Sequence, residues 1–183
     1  MRIAILGAGG VGGYYGALLA RAGHDVVLYA RGDHLTAMRA RGITVRDASG
    51  EFSVAVRATD DPRDLAGADF VIVAVKSYSL GEIAPVARDL ALAGATVVPL
   101  LNGVEAADDL EHAGVPRAQL LGGQTNVSAF KAAPGVIERA LWKARVVIGD
   151  LDGKESDRAM QLAEAFRSAD VEATATTEIV VAL

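Results

Sequence analysis

The 183 residues contain no cysteine, which excludes disulfides and thiolate metal sites. Histidine is scarce: His24, His34 and His112 are the three, and their spacing matches no zinc motif, so no metal site is expected. Aromatics make up 5% of the chain. Alanine, glycine and valine are abundant instead, which suits closely packed α/β layers. No run approaches the ~20 apolar residues of a membrane span. The first residues do not form a basic region leading into a long apolar stretch. A cytoplasmic protein without a membrane partner is expected. No basic stripe interrupts a net charge of −5, so no nucleic-acid partner is expected either. No Tyr-x3-Lys pair occurs, no Ser-His-Asp set is legible, and no general acid in an obviously tuned environment stands out.

Hydrophobic residues make up 51% and charged residues 22% of the chain, enough for one sizeable core. "RIAIL", "HDVVLYAR", "ADFVIVAVK" and "ATVVPLLNG" read as buried strands. Between them, "VGGYYGALLARAG", "GDHLTAMRARG", "GEIAPVARDLALAG" and "VEAADDLEHAG" read as helices, the first two stopped by Gly23 and Gly42. Strands alternating with helices predict parallel βαβ units. "ITVRDASGEFSVAVRATDD" alternates about Ser49-Gly50 and predicts a β-hairpin. "AQLLGGQTNVSAF" reads as one strand, and "PGVIERA" with "ARVVIGDLDG" as a strand pair. "KESDRAMQLAEAFRSAD" reads as an amphipathic helix with Met160, Leu162, Ala163 and Phe166 on or near its apolar face. "VEATATTEIVVAL" reads as a strand running into an apolar tail. The expected fold is α/β, a Rossmann-type doubly wound, mainly parallel sheet with an added β-hairpin.

"GAGGVGG" at 7–13 sets Gly7, Gly9 and Gly12 in G-x-G-x-x-G spacing, after a strand and before a helix. In that setting the first glycine permits the turn, the second lets a pyrophosphate approach, and the third lets helix and strand pack closely. The helix N-terminus offers free N–H groups and partial positive charge. Gly7, Ala8, Gly9, Gly10, Val11 and Gly12 are therefore candidate cofactor-binding residues; the bland alternative is a packing turn. An NAD site calls for an acid at the end of the second strand, about 20 residues on. Ala30 stands there, followed by Arg31, whose fork suits a 2′-phosphate. NADPH/NADP+ is thus expected over NAD(H), although Asp33 lies nearby and Arg31 as a plain surface residue stays open. Lys76 and Asn102 follow the third and fourth strands, where open α/β sheets bind ligands; a surface lysine and a turn asparagine are the alternatives. The histidines read as structural or solvated, and Trp142 as a packing residue.

"MRIAILGAGGVGGYYGALLARAGHDVVLYARGDHL", "VIVAVKSY", "LLNGVE", "APGVIERA" and "VVIGDLDG" occur in this order. Together they resemble the ketopantoate reductase (2-dehydropantoate 2-reductase) family over essentially the whole chain. The resemblance implies NADPH-dependent reduction of ketopantoate, a small 2-keto acid, to (R)-pantoate on the route to pantothenate and coenzyme A. It implies that Gly7, Gly9 and Gly12 hold the pyrophosphate and that Arg31 takes the 2′-phosphate. Lys76 would lie along the cofactor, with Asn102 near the nicotinamide and the reacting carbonyl in a supporting catalytic role. A homodimer is an open expectation.

One departure matters. In the family, the lysine that protonates the alkoxide opens the first long helix of a helical C-terminal domain, in a Trp-x-Lys pattern. "LWKA" at 141–144 has the wrong spacing, so the role is not carried to Lys143. Residues 1–176 are expected to form the NADP-binding domain and 177–183 the start of a helix leading to a C-terminal domain that is missing. The chain alone is expected to be inactive. A nucleotide-sensing regulatory module, and a related dehydrogenase acting on another 2-keto or 3-hydroxy acid, are the rival readings.

Overall fold

In the computed structural model of the chain, the described residues are 1–101, 105–140 and 143–179. Five parallel strands form the centre: β1 (Arg2–Leu6), β2 (Asp25–Tyr29), β5 (Arg57–Thr59), β6 (Phe70–Val73) and β7 (Thr96–Pro99), in the order β5-β2-β1-β6-β7. Their near-continuous apolar runs make sense because both faces are covered. Side chains alternate across the sheet. Ile3, Ile5, Phe70 and Ile72 enter one core, while Ala4, Leu6, Val71 and Val73 enter the other. The first core takes α1 (Gly10–Arg21), α2 (Gly32–Arg41) and α5 (Asp157–Ser168); the second takes α3 (Leu80–Leu92) and α4 (Ala106–His112).

The sheet continues beyond β7. The Leu121 N–H donates to the Val97 carbonyl at 3.0 Å, and β8 (Gly122–Asn126), β11 (Arg145–Gly149) and β12 (Glu172–Thr176) follow, β11 lying between the other two. The mainly parallel, doubly wound architecture is thus the expected one.

A second sheet, β4-β3-β10-β9, packs over α1 from the side away from the main sheet. It consists of β3 (Ile43–Asp47), β4 (Gly50–Val54), β9 (Ala129–Ala133) and β10 (Val136–Arg139). The β3–β4 pair is the expected hairpin. An Asp47–Arg139 pair ties β3 to β10, with Oδ2 2.7 Å from Nη2 and both side chains largely buried. Burial alone would push the Asp47 carboxyl up. Hydrogen bonds from Ser49 and Arg139 outweigh it and bring the group down to about 2.

Four expectations need correction. β10 and β11 do not pair with each other. Ile137 of β10 is drawn onto α1, where Gly13 leaves room for it, whereas Val146 and Ile148 of β11 extend the main sheet. The stretch 118–130 is not one strand: β8 and β9 belong to different sheets, with Val127 and Ser128 between them. The hairpin does not run on to residue 61, because β5 leaves it to pair in parallel with β2. Met160 lies off the apolar face of α5 and is 48% exposed, while Leu162, Ala163 and Phe166 are buried. Trp142 and residues 180–183 of the expected terminal helix lie outside the described residues.

Candidate functional site

From β1 the chain winds out to β2 in one direction and returns to β6 on the other side of β1. This reversal opens a crevice at the carboxyl ends of the strands, where such sheets bind ligands. A cleft of about 260 Å³ lies there. The turn after β1 supplies Gly7, Ala8 and Gly9. The end of β2 supplies Tyr29, Ala30 and Arg31, and α2 supplies His34. Val75, Ser79, Glu82 and Ile83 come from the segment after β6, and Lys131 from β9. A larger hollow of about 570 Å³ lies on the open face of β8, β11 and β12. It is lined by side chains of β8, β11 and β12 and by Glu178 and holds neither the glycine turn nor Arg31, whereas the smaller cleft holds both.

The three fingerprint glycines differ in what surrounds them. Gly7 turns with φ +99°, and a Cβ there would lie 2.7 Å from Val75 Cγ1. A Cβ on Gly12 would lie 2.0 Å from the Gly7 carbonyl oxygen, so the helix can start this close to the turn only without a side chain. A Cβ on Gly9 would meet nothing within 4 Å. The backbone at the N-cap of α1 is therefore open. The first turn of α1 carries no acid and no capping side chain, so its free N–H groups and dipole are left for an anion. Gly10 has a packing role: a Cβ there would lie 2.0 Å from the Ala129 carbonyl oxygen. β9 therefore passes directly over the helix start, which is how Lys131 reaches the cleft. Val11 is half-buried against the core.

Ala30, at the position where an NAD site would carry its acid, is 8% exposed. Its N–H is bonded to the Thr59 carbonyl at 2.9 Å. Arg31 caps α2 with its backbone and extends its guanidinium to Glu82, Nη1 to Oε1 2.5 Å. That carboxylate raises the arginine's pKa further. Asp33 is exposed in the first turn of α2 and does not line the cleft. Lys76 follows β6 as expected and is exposed. Its neighbours Val75 and Ser79 line the cleft; Lys76 does not. Asn102 lies outside the described residues. Gly7, Ala8, Gly9 and Arg31 are thus brought together in one cleft, while Gly10, Val11, Gly12 and Lys76 do not line it.

Three cleft residues with a carboxylate, ammonium or imidazole side chain escaped the sequence reading as site residues. His34 is 7% exposed, accepts the Gly135 N–H on Nδ1 at 2.9 Å and lies with Nε2 2.7 Å from the Ala8 carbonyl oxygen. An acceptor Nδ1 and a donor Nε2 define a neutral ring. Burial lowers its pKa, the charge of Lys131 adds to this, and the bond to Ala8 opposes it. Glu82 and Lys131 are the other two. Among the described residues no cluster suited to a metal ion occurs, and no helix is long and apolar enough to cross a membrane.

Comparison with known proteins gives one answer. The family model described as "Ketopantoate reductase PanE/ApbA" matches residues 3–153. The 2-dehydropantoate 2-reductase of Pyrococcus abyssi is 32% identical over 98% of this chain and 58% of its own length. The crystal structure of a PanE/ApbA family ketopantoate reductase from Ralstonia eutropha superposes with a TM-score of 0.87 at 34% identity, over all of this chain and 59% of that one. A D-mandelate dehydrogenase solved with NADH and anilino(oxo)acetate shares the fold, with a TM-score of 0.85 at 23% identity over 98% of this chain and 58% of that one. The chain therefore spans a little under three-fifths of the length of these relatives.

Proposed function

Since the chain belongs to the PanE/ApbA ketopantoate reductase family, an oxidoreductase family, we propose that it supplies the NADPH-binding part of a 2-dehydropantoate 2-reductase. The reaction is reduction of ketopantoate to (R)-pantoate on the route to pantothenate and coenzyme A, in the cytoplasm. Residues 1–176 form the nucleotide-binding domain. The carrying observation is the open backbone at Gly9, over the uncapped start of α1, in one cleft with Arg31.

When bound, the nicotinamide supplies the hydride. The chain's own residues bind and orient. Gly7, Gly9 and Gly12 shape the pyrophosphate cradle, with N–H groups from Ala8 to Gly12 facing it. Arg31 takes the 2′-phosphate, Lys76 lies along the nucleotide, and Asn102 supports the reacting carbonyl. The 183 residues by themselves bind nucleotide without turnover, and a homodimer is the assembly proposed for the enzyme.

Titration of the chain with NADPH and NADH, followed by nucleotide fluorescence, tests the reading. NADPH is expected to bind more tightly. Arg31→Ala is expected to weaken NADPH by about 1.5–3 kcal/mol through loss of a charge-assisted contact, with little change for NADH. Equal affinities in the wild type, or an unchanged NADPH affinity in the variant, would remove the 2′-phosphate assignment.

A further inference from the structure

We propose that Glu82 sets the nucleotide preference of the cleft by competing with the nucleotide's 2′-phosphate for Arg31. The proposal rests on the reading of Arg31 given above. Arg31 leaves the end of β2, while Glu82 sits in the first turn of α3 on the far side of the crevice. The fold brings these distant residues to 2.5 Å, and both line the cleft with Gly7 and Gly9. Their side chains are 56% and 61% exposed. A pair this open holds little of the fold together, so its position at the cleft is the informative feature.

An incoming 2′-phosphate needs the guanidinium that Glu82 already engages. It must displace the carboxylate or share the arginine with it, and at this separation two anions repel. NADH brings no such phosphate. Its ribose 2′-OH is a donor that a carboxylate accepts, the role an acid at the end of the second strand fills in NAD sites. Glu82 therefore weakens NADPH and leaves NADH unharmed, and the cleft discriminates less than Arg31 alone would.

Glu82→Gln keeps the shape and removes the charge. In fluorescence titrations of the 183-residue chain it is expected to tighten NADPH by about three-fold, within the range of an exposed ion pair, while NADH stays constant or weakens. Asp33→Asn removes a carboxylate near Arg31 in sequence but outside the cleft, and is expected to leave the ratio unchanged. Thermal melts of both variants check that the fold is retained. Weaker NADPH binding in Glu82→Gln would make Glu82 an orienter of Arg31 and overturn the proposal. An equal change for both nucleotides, or the same widening in Asp33→Asn, would overturn it as a general charge effect. If Arg31→Ala responds as expected but Glu82→Gln does not, this proposal alone fails. If Arg31→Ala leaves NADPH binding unchanged, the underlying reading fails and this proposal with it.

Discussion

His34 joins two backbone groups from different parts of the chain, the Ala8 carbonyl in the glycine turn and the Gly135 N–H in the β9–β10 turn. A protonated ring has no acceptor for Gly135, so the bridge requires the neutral form. The folded pKa is lowered, first by burial. The unfolded chain therefore binds the proton more readily, and stability falls as pH drops below the ordinary value of 6.5 towards the folded one. The full contribution is present above about pH 6.5. His24 is shifted in the same direction, so the profile has to be read as wild type minus variant. His34→Ala is expected to cost about 2–4 kcal/mol at neutral pH by orphaning two buried groups, and to flatten that part of the profile. Urea unfolding at pH 7.5, 6.5 and 5.5 (about one unit apart, to bracket the titration) measures both; an unaltered slope in the variant would refute the bridge. The sequence shows why Arg31 was legible and His34 was not. Arg31 follows a recognisable strand in a recognisable motif. The partners of His34 lie 26 and 101 residues away, and no local spacing encodes them. Glu82 and Lys131 share that difficulty, since each reaches the cleft through packing of elements remote from the fingerprint.

Among the elements, α1 shows how far periodicity reaches. Its apolar positions and closing Gly23 predicted the helix, and β1 and β2 were equally plain. What periodicity missed is that α1 is covered on two sides, by the main sheet and by β9 and β10. β8, β9, β10 and β11 are short and similar in pattern. Their partners are decided by which surface buries Ile137, Val146 and Ile148, a tertiary choice. The neighbouring glycines of α1 separate binding from packing. Gly9 has φ −71° and open space where a Cβ would go. Gly9→Ala is expected to melt like the wild type yet bind both NADPH and NADH more weakly, by about ten-fold or more if the methyl keeps the pyrophosphate from its N–H groups. Gly10→Ala drives a methyl into the Ala129 carbonyl and is expected to cost about 1–3 kcal/mol of stability by overpacking. Denaturant unfolding with parallel titrations distinguishes them. Unchanged nucleotide binding in Gly9→Ala would mean that the cradle lies elsewhere.

At the scale of the whole molecule, one sheet with a covered core on each face carries the cleft at its switch point, and α1 and α2 face the same opening. Gly7, Gly9 and Arg31 line that cleft together. Proton delivery is a separate matter. His34 has both ring nitrogens committed to backbone groups and cannot shuttle protons without breaking its bridge. Arg31 is held in its charged form and is no acid at neutral pH. The 183-residue chain is therefore expected to separate binding from chemistry. NADPH at a hundred times its dissociation constant should stabilise the fold by roughly 2.7 kcal/mol, as any ligand specific for the native state does, and the melting temperature should rise with nucleotide concentration. Adding ketopantoate should produce no loss of nicotinamide absorbance beyond the enzyme-free rate. Stabilisation with no oxidation supports a binding unit that depends on further residues for its acid. Steady oxidation of NADPH with formation of pantoate would show that the acid lies within these 183 residues, and Lys131, whose side chain already faces the cleft, would be the first residue to replace.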